Sequence, residues 1–409
     1  MPNAQCPMPH APCPMPNAPY PMKELTAILE AFAKLRDDAE SCFLATVVNV
    51  KGSTYRRPGA RMLMTRSHRL IGTISAGCLE NDVFEHTRVS MPDAKPIVVT
   101  YDSTADEDIL WGFGLGCNGL VQVLIETLDP NDLCNPLALI QECFAKQQPG
   151  AIATVFAVDG AMNVKIGDRL IIKPNNNLIT NITDSALESA LIHDAQIALK
   201  NQKSTINKYQ LSSGIVEVFI EIIQPPTHLI IFGAGQDALP VLQFAKDLGW
   251  RVTIVDCRAN EATKERFAIA DEIILSRREI LQQQISVNQQ TIAVVMTHNY
   301  LDDLAILKTL LPSPIKYLGI LGPKRRSEKL LAELSDEGEA YTPEQLDKLH
   351  SPIGLDIGAD TPEAIALSII AEIQAVLANR CGNFLKNRTL PIHQPHQIKE
   401  ITLDALQKL

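Results

Sequence analysis

Residues 228–258 read HLIIFGAGQDALPVLQFAKDLGWRVTIVDCR. A short apolar run at 229–232 gives way to Gly233-x-Gly235-x-x-Ala238. An amphipathic segment follows at 239–248, and a second apolar run at 252–255 ends on Asp256. This succession predicts strand, glycine turn, helix and strand, the opening βαβ unit of a doubly wound nucleotide-binding fold. Gly233 permits the tight turn, and Gly235 lets backbone approach a phosphate without a Cβ in the way. Asp256 stands about 21 residues past Gly235, near where an acidic side chain grips a ribose hydroxyl. Arg258, two positions on, is placed to meet a 2′-phosphate, so NAD and NADP both stay open. Two departures weigh against a dinucleotide in the usual pose. Ala238 replaces the third glycine, and Asp237 puts a negative charge at the helix start, where it caps the helix or repels a pyrophosphate.

Beyond Arg258 the alternation continues. Strands are predicted at 272–275, 291–296 and 315–321, and helices at 278–284, 301–311, from the loop at 322–326 onward, and at 364–378. His298 and the Gly322–Arg326 loop follow strand C-termini, the edge where open α/β sheets bind ligands. His298 is therefore a candidate site residue, with a hydrogen-bonded structural histidine as the plainer alternative. Lys324, Arg325 and Arg326 form either a solvated helix start or an anion contact. The predicted nucleotide-type domain spans 227–378, and 379–409 reads as an appendage. Its other boundary falls at Gln224-Pro225-Pro226, where two prolines end a strand.

The N-terminal half, 23–224, reads as a mixed α+β domain, with a helix at 24–39 and a strand at 41–50. Then comes KGSTYRRPGARMLM at 51–64, in which Arg56, Arg57 and Arg61 crowd a turn with Pro58 and Gly59. Backbone N–H groups and guanidinium forks make such a loop an anion-binding candidate; a basic surface hairpin is the alternative. LIGTISAGCLE at 70–80 is a strand running into a glycine-bounded turn, with Cys78 and Glu80 at the start of a helical segment. A thiol at a helix N-terminus tends toward the thiolate, which attacks or ligates metals; a buried, inert cysteine is the alternative. A second glycine cluster, Gly112 to Gly119, holds Cys117, and glycines so dense imply a close backbone approach. Helices are further expected at 132–148 and 184–201, short strands across 97–101, 109–125 and 151–174, and a strand at 214–223.

The chain has 409 residues, 46% hydrophobic and 21% charged, enough for two or three domains with proper cores. A net charge of −10 argues against nucleic acid and anionic lipid as partners. No apolar run approaches the ~18 residues of a membrane span. Nine cysteines without CxxC spacing, and a start with no secretory apolar core, predict reduced thiols and a cytoplasmic protein. Residues 1–21 repeat MPNAQCP, MPHAPCP, MPNAPYP and read as a disordered tail, with Met22 an alternative start. Neither a catalytic dyad nor a convincing metal cluster is legible.

Assembled, these segments resemble the xanthine dehydrogenase accessory protein family (XdhC/CoxI). GSTYRRPGARM, GTISAGCLE, GLGCNG, the IFGAGQDALP unit with IVDCR, and LGPKRR with SPIGLDIGADTPEAIALSIIAEI carry the likeness, in matching order across roughly 24–378. The resemblance implies an N-terminal domain with two cysteine motifs and a C-terminal Rossmann domain. It implies a chaperone for the molybdenum cofactor more than a catalyst, serving xanthine dehydrogenase or a related molybdenum hydroxylase. Cys78 and Cys117 match the two cysteine motifs, with Ser75, Ala76 and Asn118 standing where glycines are usual. Arg56, Gly59 and Arg61 match the loop between the first strands. On this view Cys78, Cys117, Arg56, Gly59, Arg61 and Glu80 hold molybdopterin. The nucleotide-type edge consists of Gly233, Gly235, Asp237, Asp256, Arg258, His298, Lys324 and Arg325. A cysteine desulfurase as sulfur donor, a homodimer, and NAD(P) or another nucleotide as second ligand are further expectations. An NAD(P)- or flavin-dependent oxidoreductase and a nucleotide-binding sensor are the competing readings.

Overall fold

The computed structural model describes residues 22–37, 41–52, 54–75, 77–89, 95–102, 119–258, 260–389, 392 and 398–403. The proline repeat, Cys117 and the glycine cluster up to Asn118 lie outside them.

The N-terminal half is a two-sheet sandwich. Its first part runs α1 (Met22–Asp37), β1 (Cys42–Gly52), β2 (Arg61–Thr65), β3 (Leu70–Gly72), α2 (Glu80–Val89), β4 (Ile97–Asp102) and β5 (Gly119–Leu128). These strands form an antiparallel sheet in the order β3-β2-β1-β5-β4. Its second part runs α3 (Pro136–Lys146), β6 (Gly150–Gly160), β7 (Arg169–Ile172), β8 (Leu178–Thr180), α4 (Ser185–Asn201), β9 (Thr205–Leu211) and β10 (Gly214–Ile223).

β1 shows why the sheets stack. Successive side chains point to opposite faces of a strand. Phe43, Ala45 and Val47 pack under α2 with Val83 and Phe84. Cys42 and Leu44 face the other way, toward Ile152, Ile171 and Ile223 of the second sheet. β1 is buried on both faces, so its apolar run does not alternate with polar residues. α4 covers the far side of the second sheet through Leu187, Leu191 and Ala195.

Two buried ion pairs cross the space between the sheets. Arg61 of β2 meets Glu221 of β10, and Arg169 of β7 meets Glu126 of β5 at 2.5 and 2.6 Å. All four residues are at most 5% exposed.

The C-terminal half has the predicted architecture. It comprises β11 (His228–Phe232), α5 (Ala238–Asp247), β12 (Arg251–Asp256), α6 (Ala262–Arg266), β13 (Glu272–Leu275), α7 (Leu281–Gln284) and β14 (Thr291–Val295). Then follow α8 (Tyr300–Leu310), β15 (Tyr317–Ile320), α9 (Lys324–Asp336), α10 (Pro343–Asp347), β16 (Leu349–His350) and α11 (Pro362–Leu377). All pairings are parallel, in the order β13-β12-β11-β14-β15-β16, with the topological switch between β11 and β14. Thr361 caps α11 by accepting from the Ala364 N–H, with Pro362 in the first turn.

The halves touch where α5 ends and α1 begins. Gly249 has φ +76°, and a Cβ there would fall 2.3 Å from the Lys23 amide nitrogen. The electronegative C-terminus of one helix thus meets the electropositive N-terminus of the other, with Lys23 also bridging to Asp247 at 3.0 Å.

Several sequence expectations need revision. Residues 132–148 hold a shorter helix, α3, because Asn135 caps it and Gln147 turns left-handed at φ 51°. The helix expected at 278–284 splits into a 3₁₀ turn at Arg278–Ile280 and the single turn α7. β9 escapes the sequence patterns, because its polar and apolar residues mix without clear alternation. The appendage is partly structural, since β17 (Ile398–Thr402) returns to lie parallel to β9 at the edge of the second sheet.

Removing one partner of a buried ion pair strands a charge and costs about 3–5 kcal/mol, whereas replacing both by apolar groups is often neutral. Glu221→Leu is therefore expected to lose about that much stability in urea unfolding, and Arg61→Met/Glu221→Leu to recover most of it. A double variant as unstable as the single one would contradict the pairing.

Candidate functional site

The arginine loop and the segment that carries Cys117 leave from one end of the first sheet, and the Cys78 loop is directed toward that end. Gly52, at the end of β1, pairs with Gly119, at the start of β5. Asp102, at the end of β4, pairs with Leu120, so the segment 103–118 that carries Cys117 departs beside Gly52. The arginine loop follows Gly52 directly. The Cys78 loop follows Gly72, whose strand runs toward the same end. Asp82, four residues after Cys78, accepts a 2.6 Å hydrogen bond from Tyr101, the neighbour of Asp102. The N-terminal turn of α2 is thereby tied to the strand from which the Cys117 segment starts.

The Cys78 loop is built around a carboxylate. Glu80 accepts from the Thr73 hydroxyl, the Ile74 and Ser75 amides, the Ser75 hydroxyl and the Leu79 amide. The Ser75 oxygen in turn accepts the Cys78 and Leu79 amides at 3.0 and 3.1 Å. Burial alone would raise the Glu80 pKa, but the Ser75 and Thr73 hydroxyls and the Ser75 amide hold it down at about 2. Gly77 makes the turn at φ +98°. Cys78 itself is exposed. Glu80 thus fastens the loop and is not an open ligand group; the side chain left free is the thiol.

The arginine loop is largely spent on the fold. Arg56 grips Glu24 of α1 with both guanidinium nitrogens, at 3.0 and 2.7 Å. Arg61 lies on the inter-sheet face of β2, bound to Glu221 and to the Gly59 carbonyl. The Gly59 amide donates to Val47 at 2.7 Å, closing the turn against β1. As placed, Arg56 and Arg61 are anchors of α1 and of the second sheet, not the free anion contacts expected from sequence. The physical reason lies in Glu24 and Glu221, acidic partners 32 and 160 residues away that no local spacing reveals. Arg57, half-buried, has no ion pair among the described residues.

The Rossmann crevice is also partly filled by its own chain. Gly233 has φ +118°, and a Cβ there would meet the Met296 carbonyl of the neighbouring strand at 2.3 Å. At Gly235 the same atom would meet the Asp237 carboxylate at 2.3 Å. Asp237 makes no capping bond to α5. It reaches across the switch point to His298 Nε2 at 2.7 Å, where His298 adopts φ 56°. Asp256, 2% exposed, accepts from the Arg258 amide at 3.0 Å and the Thr263 hydroxyl at 2.6 Å, so both oxygens are engaged. The Arg258 side chain stays exposed, 3.6 Å from Asp256. Lys324 and Arg325 are exposed at the start of α9, while Arg326 turns inward to Asp303 at 2.7 Å. The structure therefore joins Gly235, Asp237 and His298 in one cluster and leaves Lys324 and Arg325 outside it. Among the described residues no group of three or more His, Cys, Asp or Glu side chains is set to hold a metal, and no helix is long and apolar enough to cross a membrane.

A two-sheet sandwich joined to a parallel 3-2-1-4-5-6 sheet is a specific combination, and comparison with known proteins decides the family. The XdhC Rossmann domain matches residues 229–373, and the XdhC and CoxI family matches residues 35–102 and 143–210. The chain belongs to the XdhC and CoxI family. It is 31% identical over 339 residues to a probable xanthine dehydrogenase subunit of Bacillus subtilis (strain 168), covering 83% of this chain and 94% of that one. The uncharacterized protein YqeB of Escherichia coli (strain K12) is 24% identical over 235 residues, covering 54% of this chain and 43% of that one. A crystal structure described as a xanthine dehydrogenase from Bacillus halodurans superposes with a TM-score of 0.69 at 27% identity, covering 89% of this chain and 98% of that one. The family resemblance and the Rossmann fold read from the sequence are both borne out.

If Glu80 fastens the loop, Glu80→Ala is expected to accelerate hydrogen exchange at the Ser75 and Leu79 amides at least about tenfold, with Glu80→Gln between. The carboxylate's folded pKa lies below its ordinary 4.5. Its support is therefore complete above that value and lost as pH falls through about 2. Unchanged exchange in Glu80→Ala would contradict the assignment.

Proposed function

We propose that this XdhC/CoxI protein is an accessory factor that carries the molybdenum cofactor to xanthine dehydrogenase or a related molybdenum hydroxylase. The cargo is a pterin dithiolene with a phosphate and an oxygen-sensitive molybdenum centre. The observation that carries the reading is an exposed thiol, Cys78, on a loop fastened from behind by Glu80. It stands at the sheet end from which the Cys117 segment and the arginine loop also depart. Soft sulfur donors suit molybdenum. A carrier needs a preorganised contact more than proton-transfer machinery, and the Glu80 carboxylate in this loop is committed to backbone amides and hydroxyls.

The oxidoreductase alternative has no comparable support. Asp237 carries negative charge toward Gly235, where a diphosphate would approach, and Asp256 spends its two oxygens on the Arg258 amide and the Thr263 hydroxyl of α6. The relatives described as xanthine dehydrogenases fit a protein that works beside that enzyme.

The test is molybdenum bound per chain after incubation with cofactor and removal of the excess. Wild type is expected to retain it, and the Cys78→Ser, Cys117→Ser double variant to fall to background. Equal loading would remove both thiols from the mechanism, and sustained turnover with NAD(P)H would overturn the carrier reading.

A further inference from the structure

Of the loop's three arginines, two are neutralised by the fold. Arg56 is held by Glu24 and Arg61 by Glu221, both toward the side where α1 and the second sheet pack. Arg57 sits between them on a fixed turn. Its carbonyl accepts the Ala60 amide at 3.1 Å, and the next residues, Pro58 to Ala60, are buried. The Thr54 hydroxyl donates to the Arg56 carbonyl at 2.9 Å, bracing the other side. Its guanidinium is half-buried, and burial lowers its pKa with no acidic group among the described residues offsetting the cost. A surface arginine without a salt bridge is ordinary when water surrounds it. A guanidinium partly withdrawn from water, on rigid backbone and with no counter-charge among the described residues, is preorganised for an anion that arrives from outside.

We infer that Arg57, rather than Arg56 or Arg61, is the anion-binding residue at this sheet end, and that it takes a phosphate monoester. The fork of a guanidinium matches two oxygens of a phosphate, and the Cys78 loop at the same end contributes an exposed thiol. The inference rests on the reading of this end as the cargo site, and it fixes which part of the cargo is held where. The phosphate lies against the arginine turn, and the sulfur-binding part faces Cys78.

Phenyl phosphate and inorganic phosphate, titrated into the full chain, test it through the arginine Nε–H resonances. Wild type is expected to bind the ester with a shift of one such resonance. Arg57→Gln should weaken binding by about ten- to a hundredfold, since a charge-assisted bond is lost. Arg57→Lys should recover part of the affinity, because the charge returns without the fork. Arg66→Gln, in the exposed turn at the opposite end of β2, should bind as wild type. No saturable binding by wild type at millimolar ester, or equal affinity in Arg57→Gln, would overturn the assignment. The two claims fail separately. Ester binding that depends on Arg57 while the cysteine variants load molybdenum normally would sustain this inference and sink the thiol's role. Loading that depends on the cysteines with ester binding indifferent to Arg57 would do the reverse.

Discussion

The buried contact between Arg61 and Glu221 ties the two sheets of the N-terminal half together and decides what the neighbouring loop can do. Arg61 leaves β2 on the inter-sheet face because strand alternation sends it there, and it also holds the Gly59 carbonyl of its own turn. A charge in that position must be paired, since an isolated buried ion is far more costly than a buried pair. Once Arg61 is committed, the turn at 57–60 is closed on β1, and Arg56 reaches Glu24 at the start of α1. α1 in turn abuts the end of α5 at Gly249, so a chain of contacts runs from the sandwich into the Rossmann half.

The opposite face of the same sheet end works by a second commitment. Glu80 gathers amides and hydroxyls from Thr73 to Leu79, leaving Cys78 outward and α2 anchored over β4 through Asp82. Both loops follow one logic. Charged groups conspicuous in the sequence are consumed as fasteners, and what they hold in place is the less conspicuous residue beside them. Arg56 and Arg61 frame Arg57, and Glu80 frames Cys78. The Rossmann half shows a related economy, with Asp237 and His298 paired across the switch point and Asp256 engaged by the Arg258 amide and the Thr263 hydroxyl of α6.

Much of the fold is legible in the sequence because its signals are local. The glycine turn at 233–235, the apolar runs of β11, β12 and β14, and the Thr361-Pro362 cap each declare themselves within a few residues. β17 and β9 do not: β17 is a short edge strand with exposed positions, and β9, paired on both sides, mixes polar and apolar residues without alternation. The site is legible at the level of motifs and less so at the level of roles. The cysteine and arginine loops stand out by composition, yet the use of each arginine depends on Glu24 and Glu221, which only the tertiary fold brings near. Glu80 is a different case. Hydroxyls at Thr73 and Ser75 followed by an acid at the first helical position are a local pattern, and that pattern is a readable sign of a loop fastening.

The ligand site lies, on this account, at the loop end of the first sheet and not in the Rossmann crevice. Hydrogen–deuterium exchange of the full chain with and without molybdenum cofactor tests that claim most directly. The account predicts protection on binding in 54–60, 73–79 and 103–118 together, with 233–237 and 297–299 unchanged. Protection confined to the Rossmann loops, with the Cys78 and arginine loops exchanging as before, would contradict it.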